Sequence, residues 1–209
     1  MKRLNFIFTF LFVFLLGSYS YSQITGTAHD FSGESWTGEI CNVCHTPHNA
    51  NGQTGAPLWD HTATATSFTL YTSTVSPSFD GTMTQPGGTS KMCLSCHDNT
   101  VNVDAFGGGA GTVTASSFGA SNNLGTDLST HHPVSFTYND ALATTDGGLH
   151  PPTTTSSGLV DEIDDDLLFG AGNDQMECAS CHDVHGAGQT SLLVMSNALS
   201  ALCLTCHDK

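Results

Sequence analysis

The sequence predicts a mostly irregular chain with short helices and few short strands, folded around bound cofactors instead of a large aliphatic core. One pentapeptide pattern, Cys-x-x-Cys-His, occurs four times and accounts for all eight cysteines. Stretches rich in glycine, serine and threonine separate the copies, and such stretches are typical of coil. The length of 209 residues corresponds to one domain. Strand patterns are scattered, so no large sheet is expected.

The pentapeptide is the attachment signature of c-type haem. Two thiols form thioether bonds to the porphyrin, and the adjacent histidine is held under the iron as its proximal ligand. The pattern therefore predicts four covalent haems c. Their attachment residues are Cys41, Cys44, Cys93, Cys96, Cys178, Cys181, Cys203 and Cys206. Their proximal ligands are His45, His97, His182 and His207.

Two other kinds of site use many cysteines, and both explain the pattern less well. A disulfide framework suits an exported chain, but pairing across two residues, each time before a histidine, is a poor framework. A structural zinc site with four thiolates gives no reason for the four histidines. Four haems leave fewer than about 50 residues for each cofactor, so the porphyrins must form the core. Apolar side chains expected on their faces include Phe68, Leu70, Phe106, Phe136 and Leu192.

The first 22 residues are typical of a secretory signal peptide. A basic start precedes an apolar run over 4–16 and a small polar stretch over 17–22. The apolar run is short for a bilayer span, so an uncleaved anchor is the alternative. We therefore expect residues 1–22 to be removed and residues 23–209 to form a single tetrahaem cytochrome c domain. The expected location is secreted, extracellular or at the cell surface, with the periplasm as the alternative.

Local patterns place short elements near the motifs. A polar cap at 196–197 can start a helix through 198–202 that leads into the last motif. Ser90 can start a turn that leads into the second motif. Strand patterns occur at 112–115 and, with alternation of apolar and polar residues, at 134–138.

The charge of the chain limits its partners. Nineteen acidic residues and only four basic ones give a net charge of −15. This balance excludes nucleic acid as a partner and disfavours binding to anionic membranes. No second apolar run of membrane length occurs, so no membrane insertion is expected. The densest acidic run, 161–166, is most simply a solvated loop, although its oxygens could also supply a calcium site.

The far side of each iron needs a sixth ligand, and the chain has seven histidines beyond the proximal four. They are His29, His48, His61, His131, His132, His150 and His185. Histidine exceeds demand, so bis-histidine ligation of all four irons is possible, and the methionines are interpreted as packing residues. His48 and His185 each follow a proximal histidine by three residues, which keeps them from the far face of the adjacent haem. If either is a ligand, it serves another haem, and the two haems must be close together.

At these residues the chain resembles the doubled Cys-x-x-Cys-His cytochromes, and more closely the tetrahaem outer-surface cytochromes that polymerise into extracellular nanowires. The similar segments are 29–31, 44–50, 57–59, 90–98, 132–136, 177–186 and 202–209. The resemblance implies distal ligands at His29, His48, His132 and His185. The chain departs from the family at Asp60, where asparagine is common, and in the glycine-rich stretch 107–111, which affects loop length and the subunit contact.

Two electron-transfer functions are compatible with these features. In the first, closely packed haems with saturated irons conduct electrons along an extracellular filament assembled head-to-tail from copies of the chain. The resemblance implies that a distal histidine can come from the neighbouring subunit, and His29, near the mature N-terminus, is the candidate; the alternative is that His29 folds back onto a haem of its own subunit. In the second, the protein is a discrete periplasmic or surface shuttle. The expected partners in both are other redox cytochromes or outer-membrane conduits.

A multihaem reductase is the third function considered, and the sequence favours it least. Such an enzyme needs an iron with an open distal position and nearby acid or base groups. Histidine is in surplus, and lysine and arginine are too scarce to build a site for an oxyanion. No catalytic residue is therefore assigned.

Overall fold

The structure is a computed structural model that describes residues 24–53, 55–186 and 188–208. The predicted signal peptide, residues 1–22, lies outside the described residues. The described chain is mostly turns and coil, as the sequence predicts. Its α-helices are α1 (Gly88–His97), α2 (Asp140–Asp146), α3 (Ile163–Leu167) and α4 (Ala201–Cys206), and its strands are β1 (Phe136–Thr137) and β2 (Gln175–Met176). Short 3₁₀ helices cover Ala115–Phe118, Ala120–Asn122, Cys178–Ser180, Thr190–Leu192 and Ala198–Ser200.

The two strands form a small antiparallel sheet, in which β2 lies just before the third motif. Phe136 lies opposite Met176, and Thr137 lies opposite Gln175. The strand pattern at 134–138 thus corresponds to a real but shorter strand. Phe136 and Met176 are both buried, so the sheet contributes one apolar face to the interior. Among the described helices, none is long and apolar enough to cross a membrane.

Helix α1 carries the second motif at its C-terminal end. The turn predicted at Ser90 is part of this helix. Gly88 opens the helix with a φ of +46°, and a Cβ at this position would lie 2.9 Å from Oε1 of Glu177. The positive φ favours glycine here, and any larger residue would also have to displace the Glu177 carboxylate.

Two predicted elements differ in the structure. No strand forms at 112–115, because the Asp104 carboxylate accepts the backbone N–H groups of Thr112 and Val113 at 2.7 and 2.8 Å. A side chain thus satisfies donors that a second strand would otherwise pair. The helix predicted through 198–202 is divided, because Leu199 and Ser200 adopt positive φ values of 56° and 64° before α4 begins.

Buried apolar residues of the described chain form three separate clusters instead of one core. The largest contains Phe136, Tyr138, Ala143, Ile163, Leu167, Leu168 and Met176. The second contains Phe68, Met83, Leu94 and Leu128, and the third contains Val43, Val103 and Ala115. Cys206 packs against the first cluster, and Cys44 and Cys96 pack against the third. Three attachment cysteines therefore lie at the edges of small apolar clusters, and the partly buried Phe79 packs against both the first and the second cluster.

Candidate functional site

Each Cys-x-x-Cys-His copy closes into a single helical turn. In the first, third and fourth copies the histidine N–H donates to the carbonyl of the first cysteine at 2.9, 3.1 and 3.0 Å, respectively. The second copy lies in α1, which repeats the same hydrogen-bond pattern. Side chains three and four residues apart share one face of such a turn, so both thiols and the imidazole can face one porphyrin.

The attachment cysteines of different copies lie close to one another. Interaction with the Cys178 side chain, together with burial, raises the pKa of Cys93, so the second copy lies beside the third. Burial, with a smaller contribution from Cys44, raises the pKa of Cys96 to about 12. Burial, followed by Cys181, raises the pKa of Cys206 to about 12. The second copy therefore neighbours the first and third, and the third neighbours the fourth.

Three proximal histidines are oriented by backbone carbonyl groups. The Nδ1–oxygen pairs are His45 with Pro57 (2.8 Å), His97 with Asn122 (2.8 Å) and His182 with Ser191 (3.0 Å). When Nδ1–H donates to a carbonyl, Nε2 is left unprotonated and free to bind a metal. The carbonyl partners lie in a turn (Pro57) and in two short 3₁₀ helices (Asn122 and Ser191), and no sequence pattern marked them in advance.

Three pairs of histidine rings bring a motif histidine together with one that is distant in sequence. The centroid distances are 6.1 Å for His97 and His29, 6.2 Å for His45 and His185, and 6.3 Å for His207 and His132. Two imidazoles that bind one metal from opposite sides have centroids roughly 6 Å apart, because each metal–nitrogen bond is about 2 Å long. Each pair could therefore hold one iron between its rings.

The remaining candidates are His182 of the third copy and His48. Both are exposed, and in the described part of the chain no ring contact joins them. The histidines nearest to them in sequence, His45 and His185, nevertheless face each other. His48 follows His45 by three residues and His185 follows His182 by three, so the first and third copies must lie side by side.

His29 is folded onto its own chain, although the sequence made it a candidate for reaching a neighbouring subunit. Its ring faces His97 of the same chain. Burial, followed by the charges of His97, His182 and His185, lowers the pKa of His29 to about 4. The neutral imidazole is the form that binds a metal. This arrangement supports a ligand role for His29 within its own chain.

The other histidines take no part in these ring pairs within the described residues. His61 is fully buried and has both ring nitrogens against backbone carbonyls. Nδ1 of His131 is buried without a partner, whereas the adjacent His132 places Nδ1 2.9 Å from the carbonyl oxygen of Pro133. The backbone N–H of His150 donates to the carbonyl of Cys206.

The residues present fit a covalently attached haem. Thiols at the required spacing supply the attachment chemistry, and the imidazoles of His45, His97 and His182, each with Nδ1 against a carbonyl oxygen, supply ligation chemistry. Nε1 of Trp59 and Oγ1 of Thr89 are buried with no hydrogen-bond partner among the described residues. Buried polar groups are rarely left unpaired. The propionate carboxylates of a haem are acceptors of the kind that these two donors lack.

The acidic run considered for calcium is not gathered into a metal site. Asp166 accepts hydrogen bonds from the hydroxyl of Ser157 and from the backbone N–H groups of Val160 and Asp161. Its carboxylate therefore closes its own loop. Across the described residues, no group of three or more His, Cys, Asp or Glu side chains is placed to hold a metal ion.

Comparison with known proteins gives a match at the C-terminal end. The family described as the doubled CXXCH motif matches residues 171–209, which hold the third and fourth copies. No curated protein matches the chain. The CXXCH motifs indicate covalent binding of haem c. Together with the mostly coiled fold, the family match supports a multihaem c-type cytochrome that transfers electrons.

Proposed function

We propose that the chain transfers electrons through four bis-histidine haems c, as the subunit of an extracellular filament. The three ring pairs at 6.1 to 6.3 Å carry this proposal, because each joins a motif histidine to a second imidazole. Haem c supplies an iron that changes oxidation state. His48 adjoins the first copy, and the first and third copies lie side by side. We therefore assign His48 and His182 as the fourth pair of histidine ligands.

Histidine on both sides of an iron favours electron transfer over catalysis. Two imidazoles bound to one iron would leave no place on that iron for a substrate. The Nδ1–carbonyl hydrogen bonds hold the rings of His45, His97 and His182 in place, so little rearrangement accompanies a change in charge. The reductase alternative would need an iron that has lost one of its two imidazoles.

The packing of the four copies supports a continuous electron path within one chain. The first and third copies exchange ligands through His185 and, in our assignment, His48. The second copy adjoins the first and third through its cysteines, and Cys181 of the third copy lies near Cys206 of the fourth. No copy is isolated from the others.

Assembly into a filament is supported by exposed apolar side chains beside the fourth copy. Leu199 is 97% exposed and Leu204 is 43% exposed. A head-to-tail contact between copies of the chain would cover these side chains, and such a contact propagates instead of closing. Because His29 is folded onto its own chain, the proposed joint relies on packing and not on a shared His29 ligand.

Haem content is the first test. We expect the intact mass of the exported protein to equal the processed chain plus four haems, because all eight cysteines belong to attachment motifs. Denaturing mass spectrometry measures this directly, and alkylation should label no cysteine. A mass with three haems, or a reactive thiol, would show that one copy is not an attachment site.

Filament formation is the second test, and it separates the filament subunit from the discrete shuttle. We expect electron microscopy of protein released from the cell surface to show filaments. Leu199→Glu should shorten or abolish them by placing a charge in the proposed joint. Val160→Glu is the matched control, because Val160 is also highly exposed (85%) but lies away from the fourth copy in sequence. Discrete single-chain particles from the unaltered protein would favour the shuttle.

A further inference from the structure

His61 occupies an unusual position for a buried histidine that binds no iron in our assignment. Its side chain is completely buried. Nδ1 lies 2.9 Å from the carbonyl oxygen of Thr62, and Nε2 lies 2.9 Å from the carbonyl oxygen of Asn102. A neutral imidazole has one N–H and one lone pair. One ring nitrogen of neutral His61 therefore faces a carbonyl oxygen with no hydrogen between them.

Haem attachment strengthens this mismatch. Sγ of Cys96 lies 3.4 Å from Nε2 of His61. A thiol at Cys96 could donate its hydrogen to Nε2, but a thioether sulfur has none and is only a weak acceptor. With the haem attached, the carbonyls of Thr62 and Asn102 and the sulfur of Cys96 are all acceptors. The surroundings of the ring then favour hydrogen on both nitrogens.

Two opposing effects govern the charge of His61. Burial lowers its pKa from the ordinary value, since an imidazolium loses its hydration. Hydrogen bonds to the backbone of Thr62, Asn102 and Val103 and the charge of Asp104 act in the opposite direction. The net effect is a lowered pKa, so the neutral form is favoured, and a unit negative charge added nearby shifts the balance towards the charged form.

The other charged groups around His61 are occupied by their own partners. Asp60 precedes it in the chain, and its carboxylate accepts the N–H of Gly107. On α1 and its C-terminal cap, Asp98 accepts hydrogen bonds from Thr64 and Thr100. The indole of Trp59 faces the ring at 6.1 Å and carries no charge. Of these carboxylates, Asp104 is the one whose charge acts on His61.

We propose that His61 takes up a proton when the haem attached at Cys93 and Cys96 is reduced. One electron from a donor cytochrome enters that haem, and one proton from solvent binds the unprotonated ring nitrogen of His61, so the charge of the region is unchanged. Oxidation releases both. This inference rests on the proposed function, because it requires a haem at the second copy. In this proposal His61 does not bind iron; its proton offsets the negative charge that reduction adds to the haem.

The proposal predicts the pH dependence of one haem out of four. Reduction of this haem raises the proton affinity of His61. The reduction potential of the haem should therefore rise as pH falls, within the window between the pKa of His61 in the oxidised protein and its higher pKa in the reduced protein. Full coupling changes the one-electron equilibrium tenfold per pH unit, which corresponds to about 59 mV. Outside this window the potential should be independent of pH.

The test is a spectroscopic redox titration of the exported protein between pH 5 and 8. We expect the wild type to show one pH-dependent component that becomes flat in His61→Gln, which keeps a buried amide but cannot titrate. His150→Gln, a histidine away from the second copy, should retain it. If His61→Gln carries four low-spin haems and keeps the full pH dependence, the proposal is wrong.

A second measurement protects the test against a variant that does not fold. In the wild type, ¹⁵N-histidine NMR should show His61 with one protonated nitrogen in the oxidised protein and two in the reduced protein at a pH inside the window. An unchanged protonation state between pH 5 and 8 overturns the proposal. Peptide mass spectrometry of residues 93–97 separates a failure of the His61 proposal from a failure of the proposed function. If that peptide carries no haem, the proposed four-haem function is wrong.

Discussion

Replacement of His185 by alanine is expected to leave one haem iron without its proposed second histidine ligand. His185 faces His45 with ring centroids 6.2 Å apart, and among the described residues no other histidine ring contacts His45. One haem of the oxidised variant should become high-spin, and the reduced variant should bind one equivalent of carbon monoxide. Visible absorption spectroscopy with a carbon monoxide titration measures both, and the wild type should bind none.

The structure also predicts which haem opens. His185 adjoins the third copy in sequence, but its ring partner His45 belongs to the first. In a Cys41→Ser, Cys44→Ser chain, His185→Ala should therefore add no carbon monoxide binding. In a Cys178→Ser, Cys181→Ser chain, it should still add one equivalent. The reverse outcome would contradict the ring pairing.

A matched control shows that the effect is not a general loss of order. His150→Ala removes a partly buried histidine that forms none of the three ring pairs. We expect this variant to keep four low-spin haems and to bind no carbon monoxide. High-spin haem in His150→Ala would mean that His150, and not one of the assigned residues, closes an iron.

Truncation of Glu177 is expected to cause the largest loss of stability that the hydrogen-bond network predicts. Oε2 of Glu177 accepts the N–H of Ser90 and the hydroxyl of Ser135, both at 3.1 Å, in a buried position. Glu177→Ala leaves both donors buried without this acceptor, which should lower the free energy of unfolding by about 3 kcal/mol. Urea denaturation of the haem-loaded protein, followed by the Soret band, measures the change.

Glu177→Gln is the matched control because it keeps an acceptor oxygen of the same shape. Burial raises the pKa of Glu177, while hydrogen bonds from Ser90 and Ser135 oppose the rise. The folded protein then holds this proton more tightly than the unfolded chain does. The contribution of the carboxyl to stability is therefore fully present below the unfolded pKa and is lost as pH rises through the folded pKa. Glu177→Gln should lose that pH dependence with a smaller loss of stability; equal losses in both variants would exclude the hydrogen-bond explanation.

The residue pattern was sufficient for the local features of the site. The four attachment motifs were identified from the sequence, and in the structure every copy adopts one helical turn, whose period fits spacings of three and four residues. The predominance of coil also followed from the glycine-, serine- and threonine-rich segments. The prediction of a strand at 112–115 was wrong, because the Asp104 carboxylate accepts the backbone N–H groups of Thr112 and Val113 that a neighbouring strand would otherwise pair.

The pairing of distant histidines depended on the folded chain. Spacing showed only that His48 and His185 cannot serve the haem beside them; it did not show that His185 faces His45 or that His29 faces His97. The carbonyls that orient the proximal rings, the buried Glu177 and the enclosure of His61 carry no local pattern either. Attachment chemistry is encoded within five consecutive residues, because covalent geometry acts over one turn. The pairing of histidines, the burial of side chains and the contacts between charged groups involve segments that are far apart in sequence. They therefore depend on how those segments pack in three dimensions.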